Sequence, residues 1–503
     1  MSGYIVRGLP RGLAKDAWWM AADSRSGATD GVHPLPVVTQ GAFPVLIALI
    51  VLMDVMMWQV TPGLSLVVFI IALAAAAQFC LGRRLSRRGM MLGWGGIALG
   101  VLPLVETVQP LSIGFAIAGL LHFVAWCLLD GGPVDAARLA RAVGRFLLLG
   151  HWQTVRDILA TTKQVKVGET ARSIPFGGLF TNWALPVGLG GIFLILLMRA
   201  NPILAAWVST LTNLAPTTIG DIERILFWVF AGLAVWPVLR LAPLRAYMVP
   251  RLPVAGTTSL FRLPHAVLNA ASLWRALIGF NLFFAVQTAM DLTYLWGGAS
   301  LPDGMTYAQY AHRGAYPLIA TALLAGLFAL LAQPFLPGRK GLKALLYLWI
   351  AQNVALTLSA VLRLDLYVQA YGLTYLRFTA MVWMGLVAAG LIAMILQMVR
   401  VHSINWLIRV NAAMAVAVLY VLCFVNVAGI IATYNLAHHP QATPYVCQLG
   451  EGADAAIVAH ERALGYQICP PSNMTLTAPQ GWRDWGYRNW RLRRNLTPEG
   501  SAT

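Results

Sequence analysis

Two stretches concentrate the side chains that could do chemistry: residues 301–317, LPDGMTYAQYAHRGAYP, and residues 363–377, RLDLYVQAYGLTYLR. In the first, Pro302, Asp303 and Gly304 make a turn and Thr306 can cap the helix that follows. Tyr307, Tyr310 and Arg313 recur at a spacing of three, which puts two phenol hydroxyls and a guanidinium on one helical face. The second adds Arg363, Asp365, Tyr367, Tyr371 and Arg377. Arginine and tyrosine together suit an anionic group, because the guanidinium fork matches carboxylate and phosphate oxygens and the phenols add hydrogen bonds. Tyrosines at a membrane boundary also form the ordinary aromatic belt, so both readings stand for residues 301–317.

Composition fixes what must hold these stretches. Of the 503 residues 58% are hydrophobic and 11% charged, and the mean hydropathy is +0.68. A soluble fold would have too little polar surface, so the chain is expected to be an all-α, polytopic transmembrane bundle. The net charge of +17 does not point to nucleic acid, because the arginines sit in short loops between apolar runs, as positive-inside topology requires. Residues 1–40 have no short apolar core and carry Arg7, Arg11, Lys15, Asp16, Asp23 and Arg25, so no cleaved leader is expected and the amino terminus is placed in the cytoplasm.

Apolar runs at about 43–60, 63–80, 90–105 and 111–129 form two hairpins, and Arg83, Arg84, Arg87 and Arg88 between them mark an inner loop. Residues 133–173 come next, where Leu139, Val143, Phe146 and Leu147 can face apart from Arg138, Arg141 and Arg145. Such a helix fits the cytoplasmic leaflet or a partner protein. Further spans are read at about 185–198, 225–239, 277–296, 315–336, 344–362, 373–399 and 410–433. Asp221 and Glu223 fall in an outer loop, and Arg363 to Gly372 lie at the outer end of the ninth span. About eleven crossings result, with residues 1–42 inside, a four-span unit at 43–130, a basic connector at 131–183, a seven-span unit at 184–433 and a periplasmic tail at 434–503. A tail outside makes a Cys447–Cys469 disulfide the expectation, whereas a tail inside would leave two free thiols.

The combination of residues 301–317 with 363–377 resembles a bacterial integral inner-membrane family of unknown function. The likeness extends to Asp54 followed by PGLSL, to PLVE ending at Glu106, to Tyr434–Asn435 and to the tryptophan- and arginine-rich tail around Trp482 to Arg494. It implies the family's fold and an inner-membrane location, and it supplies no catalytic residue.

Chemistry is therefore argued from placement. Ionisable groups near hydrocarbon are costly and face protein or a cavity. On the expected topology Asp54, Glu106, Asp291, Arg313, Arg363, Asp365 and Arg377 all fall in the outer half of the membrane, as one periplasm-facing polar centre. Either the arginines pair with the carboxylates and clamp helix ends, or an arginine stays available and, with Tyr307, Tyr310, Tyr367 and Tyr371, recognises an anionic lipid, solute or partner protein. A sensor or accessory subunit asks least of the sequence. Transport of a small anionic solute or lipid is the alternative, with no inverted repeat of broken helices to support it. A membrane transferase is less favoured because the first outer loop is only residues 61–63. His312, His402, His438 and His439 have no metal-ligand spacing, and there is neither a phosphate loop nor a nucleophile elbow, so no cofactor and no metal are expected.

Overall fold

The structure is a computed structural model and describes residues 41–82, 85–130, 135–164, 219–248, 270–296, 321, 324–471, 476 and 478–496. Every described element is helical. Six helices are long and apolar enough to cross a membrane, which marks the chain as a multi-pass membrane protein. These are α3 (Arg87–Glu106), α4 (Pro110–Leu129), α8 (Ala270–Met290, continued by a wider turn to Trp296), α10 (Lys340–Tyr371), α11 (Tyr375–Val399) and α12 (Ile404–Leu422). Shorter apolar helices are α1 (Ala42–Met57), α2 (Leu64–Cys80) and α9 (Leu324–Phe335). Further helices are α5 (Ala136–Gln164), α6 (Ile219–Leu239), α7 (Leu241–Met248), α13 (Val427–His438), α14 (Glu451–Leu464) and α15 (Tyr487–Leu496), with short turns of helix at Pro440–Ala442 and Thr443–Val446.

The chain divides into two compact units, the first drawn from Met1–Gln59, Val68–Ile97 and Gly119–Arg251, the second from Val60–Val67, Ala98–Ala118 and Leu252–Thr503. In the first, α5 packs along α6 and α7. Its buried face carries Ala142, Phe146, Gln153, Thr154 and Asp157, and Asp157 accepts hydrogen bonds from Trp236 Nε1 and Arg240 Nε, both at 3.0 Å. The connector is thus partly a core element. Phe146 is buried while Leu147 faces outward, because neighbours on a helix are about 100° apart and only one can point at α6.

In the second unit α8, α9, α10, α11 and α12 surround an apolar core containing Leu277, Ala329, Leu346, Ile350, Leu391 and Met394. Trp349 fills it, with Phe280 stacked at 5.3 Å and Phe328 edge-on at 5.2 Å. Hydrocarbon gives little hydrophobic drive for helices to associate, so polar links matter here. Asn281 Nδ2 reaches Leu345 O at 3.1 Å and Gln352 Nε2 reaches Asn281 O at 3.3 Å, tying α8 to α10. The outward faces carry Leu358, Trp383, Ile392, Leu396, Ile408 and Val416, as expected of helices in contact with lipid.

Three boundaries differ from the sequence expectation. The helix α10 runs unbroken through Arg363, Asp365, Tyr367 and Tyr371, so these residues lie on a helix rather than beyond one. Its 32 residues measure about 48 Å at about 1.5 Å each, more than the roughly 30 Å of hydrocarbon, which lets a polar last turn project. Asp221 and Glu223 lie within α6 rather than in a loop, since an amphipathic first turn extends the apolar run. The last span stops at Leu422, because Asn426 caps a separate helix, its Oδ1 accepting from Gly429 N at 3.1 Å.

Candidate functional site

Asp291 and Arg363 meet in the interior of the second unit. Asp291 follows the last turn of α8, where Gln287 Nε2 donates to its Oδ1 at 3.0 Å, and the Arg363 guanidinium donates to the same oxygen from α10. Their side chains are 1% and 4% exposed. Two charges taken this far from water are costly unless paired, so this pair clamps α8 to α10.

Fourteen residues further on, Arg377 sits differently. The helix α10 ends at Tyr371, and Gly372 turns the chain with φ +79°, a left-handed backbone that favours glycine. Asn435 of α13 holds this turn with both ends of its amide, accepting from Leu373 N at 2.7 Å and donating to Leu373 O at 2.8 Å. Thr374 then caps α11, placing Arg377 in the first turn. Arg377 Nη1 donates to Tyr371 O at 2.9 Å and to Gly372 O, satisfying carbonyls at the end of α10. Its Cζ lies 4.4 Å from the centre of the Tyr367 ring, and the Tyr367 and Tyr371 rings are 4.9 Å apart. Among the described residues no carboxylate pairs with Arg377, and its Nε and Nη2 have no hydrogen-bond partner. Tyr371 is 54% exposed. The result is a rim in which a held guanidinium, with no carboxylate on it among the described residues, has phenols beside it. Asp365, one turn back, accepts from Gln369 Nε2 at 2.8 Å.

The carboxy-terminal region braces that rim. Cys447 and Cys469 form a disulfide, and α13 and α14 pack on the core around it. Residues 483–485 return along the first hairpin: Leu64 N donates to Trp485 O at 2.9 Å and Ser65 N to Arg483 O at 3.1 Å. A Cβ at Gly63 would lie 2.5 Å from the Asp484 carbonyl carbon, so only glycine admits this approach. Burial raises the Asp484 carboxyl, but the N–H groups of Gln480, Gly481 and Asp484 itself and the Arg483 charge outweigh it and hold it below the usual aspartate range. Glu106, buried at the end of α3, accepts from Arg488 Nε at 3.1 Å and Arg491 Nη2 at 3.3 Å. Arg488 also donates to Cys423 O at 2.7 Å. This latch joins α3, α12 and α15.

In the first unit Asp54 of α1 is held by Arg224 of α6, at 2.9 Å from Nε and 2.5 Å from Nη2, with Trp228 Nε1 adding a bond at 2.9 Å. Among the described residues Asp291 pairs with Arg363, Glu106 with Arg488 and Arg491, and Asp54 with Arg224, while Arg377 lies on the Tyr367 ring. Tyr307, Tyr310 and Arg313 lie outside the described residues. Sequence reasoning noted Asn435 and the arginine-rich tail only as part of the resemblance and gave no partner to Arg224, Arg488, Arg491 or Asn435, whose partners are distant along the chain. The one available signal was the excess of arginine in the tail beside a buried-type carboxylate in PLVE. Among the described residues no group of His, Cys, Asp and Glu could hold a metal ion.

Residues 46–460 match the family described as Domain of unknown function (DUF4153). The chain belongs to DUF4153. No curated protein and no solved structure matches it. Asp54, Glu106, Asp291, Arg363 and Arg377 all lie inside the DUF4153 stretch, as does Cys447, while Cys469 and the Arg488–Arg491 latch lie beyond residue 460. The rim thus belongs to the DUF4153 portion, and part of what braces it does not.

Proposed function

We propose that this DUF4153 chain is a recognition protein of the bacterial inner membrane, acting as a sensor or accessory subunit rather than an enzyme. On this reading it crosses about eleven times with the tail periplasmic, and the Arg377 rim receives the anionic group of an envelope lipid or small solute. The carrying observation is Arg377 itself: a guanidinium fixed by two carbonyls and a tyrosine ring, with no carboxylate among the described residues to neutralise it. A charge held in this way loses little freedom on binding, and its fork matches phosphate or carboxylate oxygens.

Sidedness supports the reading. The ends of α3, α10 and α12 and the start of α2 all touch the carboxy-terminal region of the same unit, so these ends share one membrane face. Arg339, Lys340, Lys343 and Arg400 sit at the other ends of α10 and α11, as positive-inside topology wants. A disulfide in the region agrees with an oxidising compartment.

Titration of the purified chain with a short-chain phosphatidylglycerol and with short-chain phosphatidylcholine tests the proposal. Saturable binding of the first alone is expected, with inorganic phosphate competing if the shared oxyanion is what is read. Equal binding of both lipids would overturn it.

A further inference from the structure

In the first unit, α5 has an outward face as ordered in sequence as its inward one. Ala142, Phe146, Gln153 and Asp157 are buried, so residues half a turn away point outward. There Leu148, Trp152 and Val155, spaced four and three apart, form one apolar stripe, with Leu148 76% and Trp152 62% exposed. Apolar side chains aligned in this way mark an interaction surface, whereas scattered ones do not.

Arginines border the stripe. Arg138, Arg145 and Arg156 are seven and eleven residues apart, which at about 100° per residue returns them to one flank of the helix. Arg141 stands on the stripe itself, seven residues before Leu148. Among the described residues no carboxylate pairs with Arg141, Arg145 or Arg156. Asp157, the one carboxylate in the α5 sequence, is buried and engaged by Trp236 and Arg240. The outward surface of α5 is therefore apolar and cationic, with no acidic side chain of its own helix.

Packing holds α5 at the ends of neighbouring helices. A Cβ on Gly150 would lie 3.3 Å from Pro237, and Asp157 is bonded to Trp236 and Arg240, all in the last turn of α6 or just beyond it. The helix α7 follows directly and also packs on α5. Its Arg245 donates to Cys127 O at 2.8 Å and to Asp130 O, at the end of α4, and Asp130 accepts from Ser86 N at 2.8 Å, just before α3. Arg87 and Arg88 open α3 and are exposed. Because α3 and α4 are long enough to span, this gathering of their ends lies at headgroup depth, and α5 lies with it.

We infer that α5 docks on an anionic lipid surface, with Leu148, Trp152 and Val155 entering the acyl boundary and Arg138, Arg145 and Arg156 reaching the phosphates. A second copy of this helix would bring the same cations and no carboxylate to meet them. A zwitterionic leaflet would accept the stripe but supply no net counter-charge. An anionic leaflet meets both features, since apolar burial and attraction to charged headgroups act together on a basic amphipathic helix. None of these residues belongs to the Arg377 rim, so either assignment can fail without the other.

Photocrosslinking of the full-length protein, with p-benzoylphenylalanine in place of Leu148 or separately of Trp152, tests this. Both side chains are largely exposed, so neither change disturbs the core. Irradiation in native membranes is expected to give lipid adducts at both positions. In nanodiscs with equal phosphatidylglycerol and phosphatidylcholine, the phosphatidylglycerol adduct is expected to be about fivefold the more abundant, the effect of one arginine near a charged surface. That excess should fall toward equality when Arg145→Gln and Arg156→Gln are combined. Adducts to a second copy, to another segment of this chain or to another protein would overturn the assignment. So would the absence of adducts at both positions, or equal adducts of the two lipids while the arginines are intact.

Discussion

The interior of α10 and the first turn of α11 each contribute an arginine, and the two have opposite surroundings. Arg363 is sealed against Asp291 between two helices, while Arg377, beyond the Gly372 turn, lies on carbonyls and a phenol ring, its Nε and Nη2 meeting no hydrogen-bond partner among the described residues. Both are arginines near the same end of neighbouring helices. What separates clamp from receptor is whether a carboxylate reaches the guanidinium in a dry place, and that depends on which helix lies opposite.

The contrast breaks most sharply if the buried pair proves dispensable. Arg363→Ala removes a buried charge partner of Asp291 and should cost about 3–5 kcal/mol in unfolding free energy. A loss under about 1 kcal/mol, the size of an exposed substitution, would show that the pair is no clamp. The rim should depend instead on the carboxy-terminal region. Replacing Cys447 and Cys469 by alanine opens a loop of sequence separation 22 and should cost that region about 3 kcal/mol, seen as faster proteolysis of residues 440–496. If α8 and α10 lose hydrogen-exchange protection to the same degree, the two regions are not separate. Glu106→Gln should cost about 1.5–3 kcal/mol by removing the carboxylate that Arg488 and Arg491 share, and exchange should rise at residues 483–491.

The smallest effect is one of pH. Asp484 has a lowered native value, so its contribution is fully present above the ordinary aspartate range and is lost as pH falls from there through that lowered value. Protection of Leu64 N and Ser65 N, which bond to residues 485 and 483, should decline over that window. Asp484→Asn should remove the decline, and protection that stays flat in the unaltered protein would contradict it.

Much of this was legible from residue order and some was not. Apolar length placed α4, α8, α10 and α11, because twenty residues without charge have no other stable use. It also ran the last span through Cys423 and Asn426 to Thr433, since an asparagine cap reads as a tolerated polar residue within an apolar run. Individual members of the site could be suspected because a carboxylate at Asp54, Glu106 or Asp291 is costly wherever lipid is near. Their partners could not. Arg224 is 170 residues from Asp54 and Arg488 is 382 from Glu106, separations at which only folding decides who meets. The Cys447–Cys469 expectation was simpler, resting on two cysteines in one tail.

Native mass spectrometry of the chain released with its surrounding lipid tests the central claim most directly, comparing wild type with Arg377→Ala. The variant gives up two carbonyl hydrogen bonds and a ring contact, so it should lose about 1–3 kcal/mol of stability while staying folded, and should lose an anionic species that wild type retains. Retention of the same species by both proteins, or loss of folding in place of loss of ligand, would contradict the assignment of Arg377 as the recognising charge.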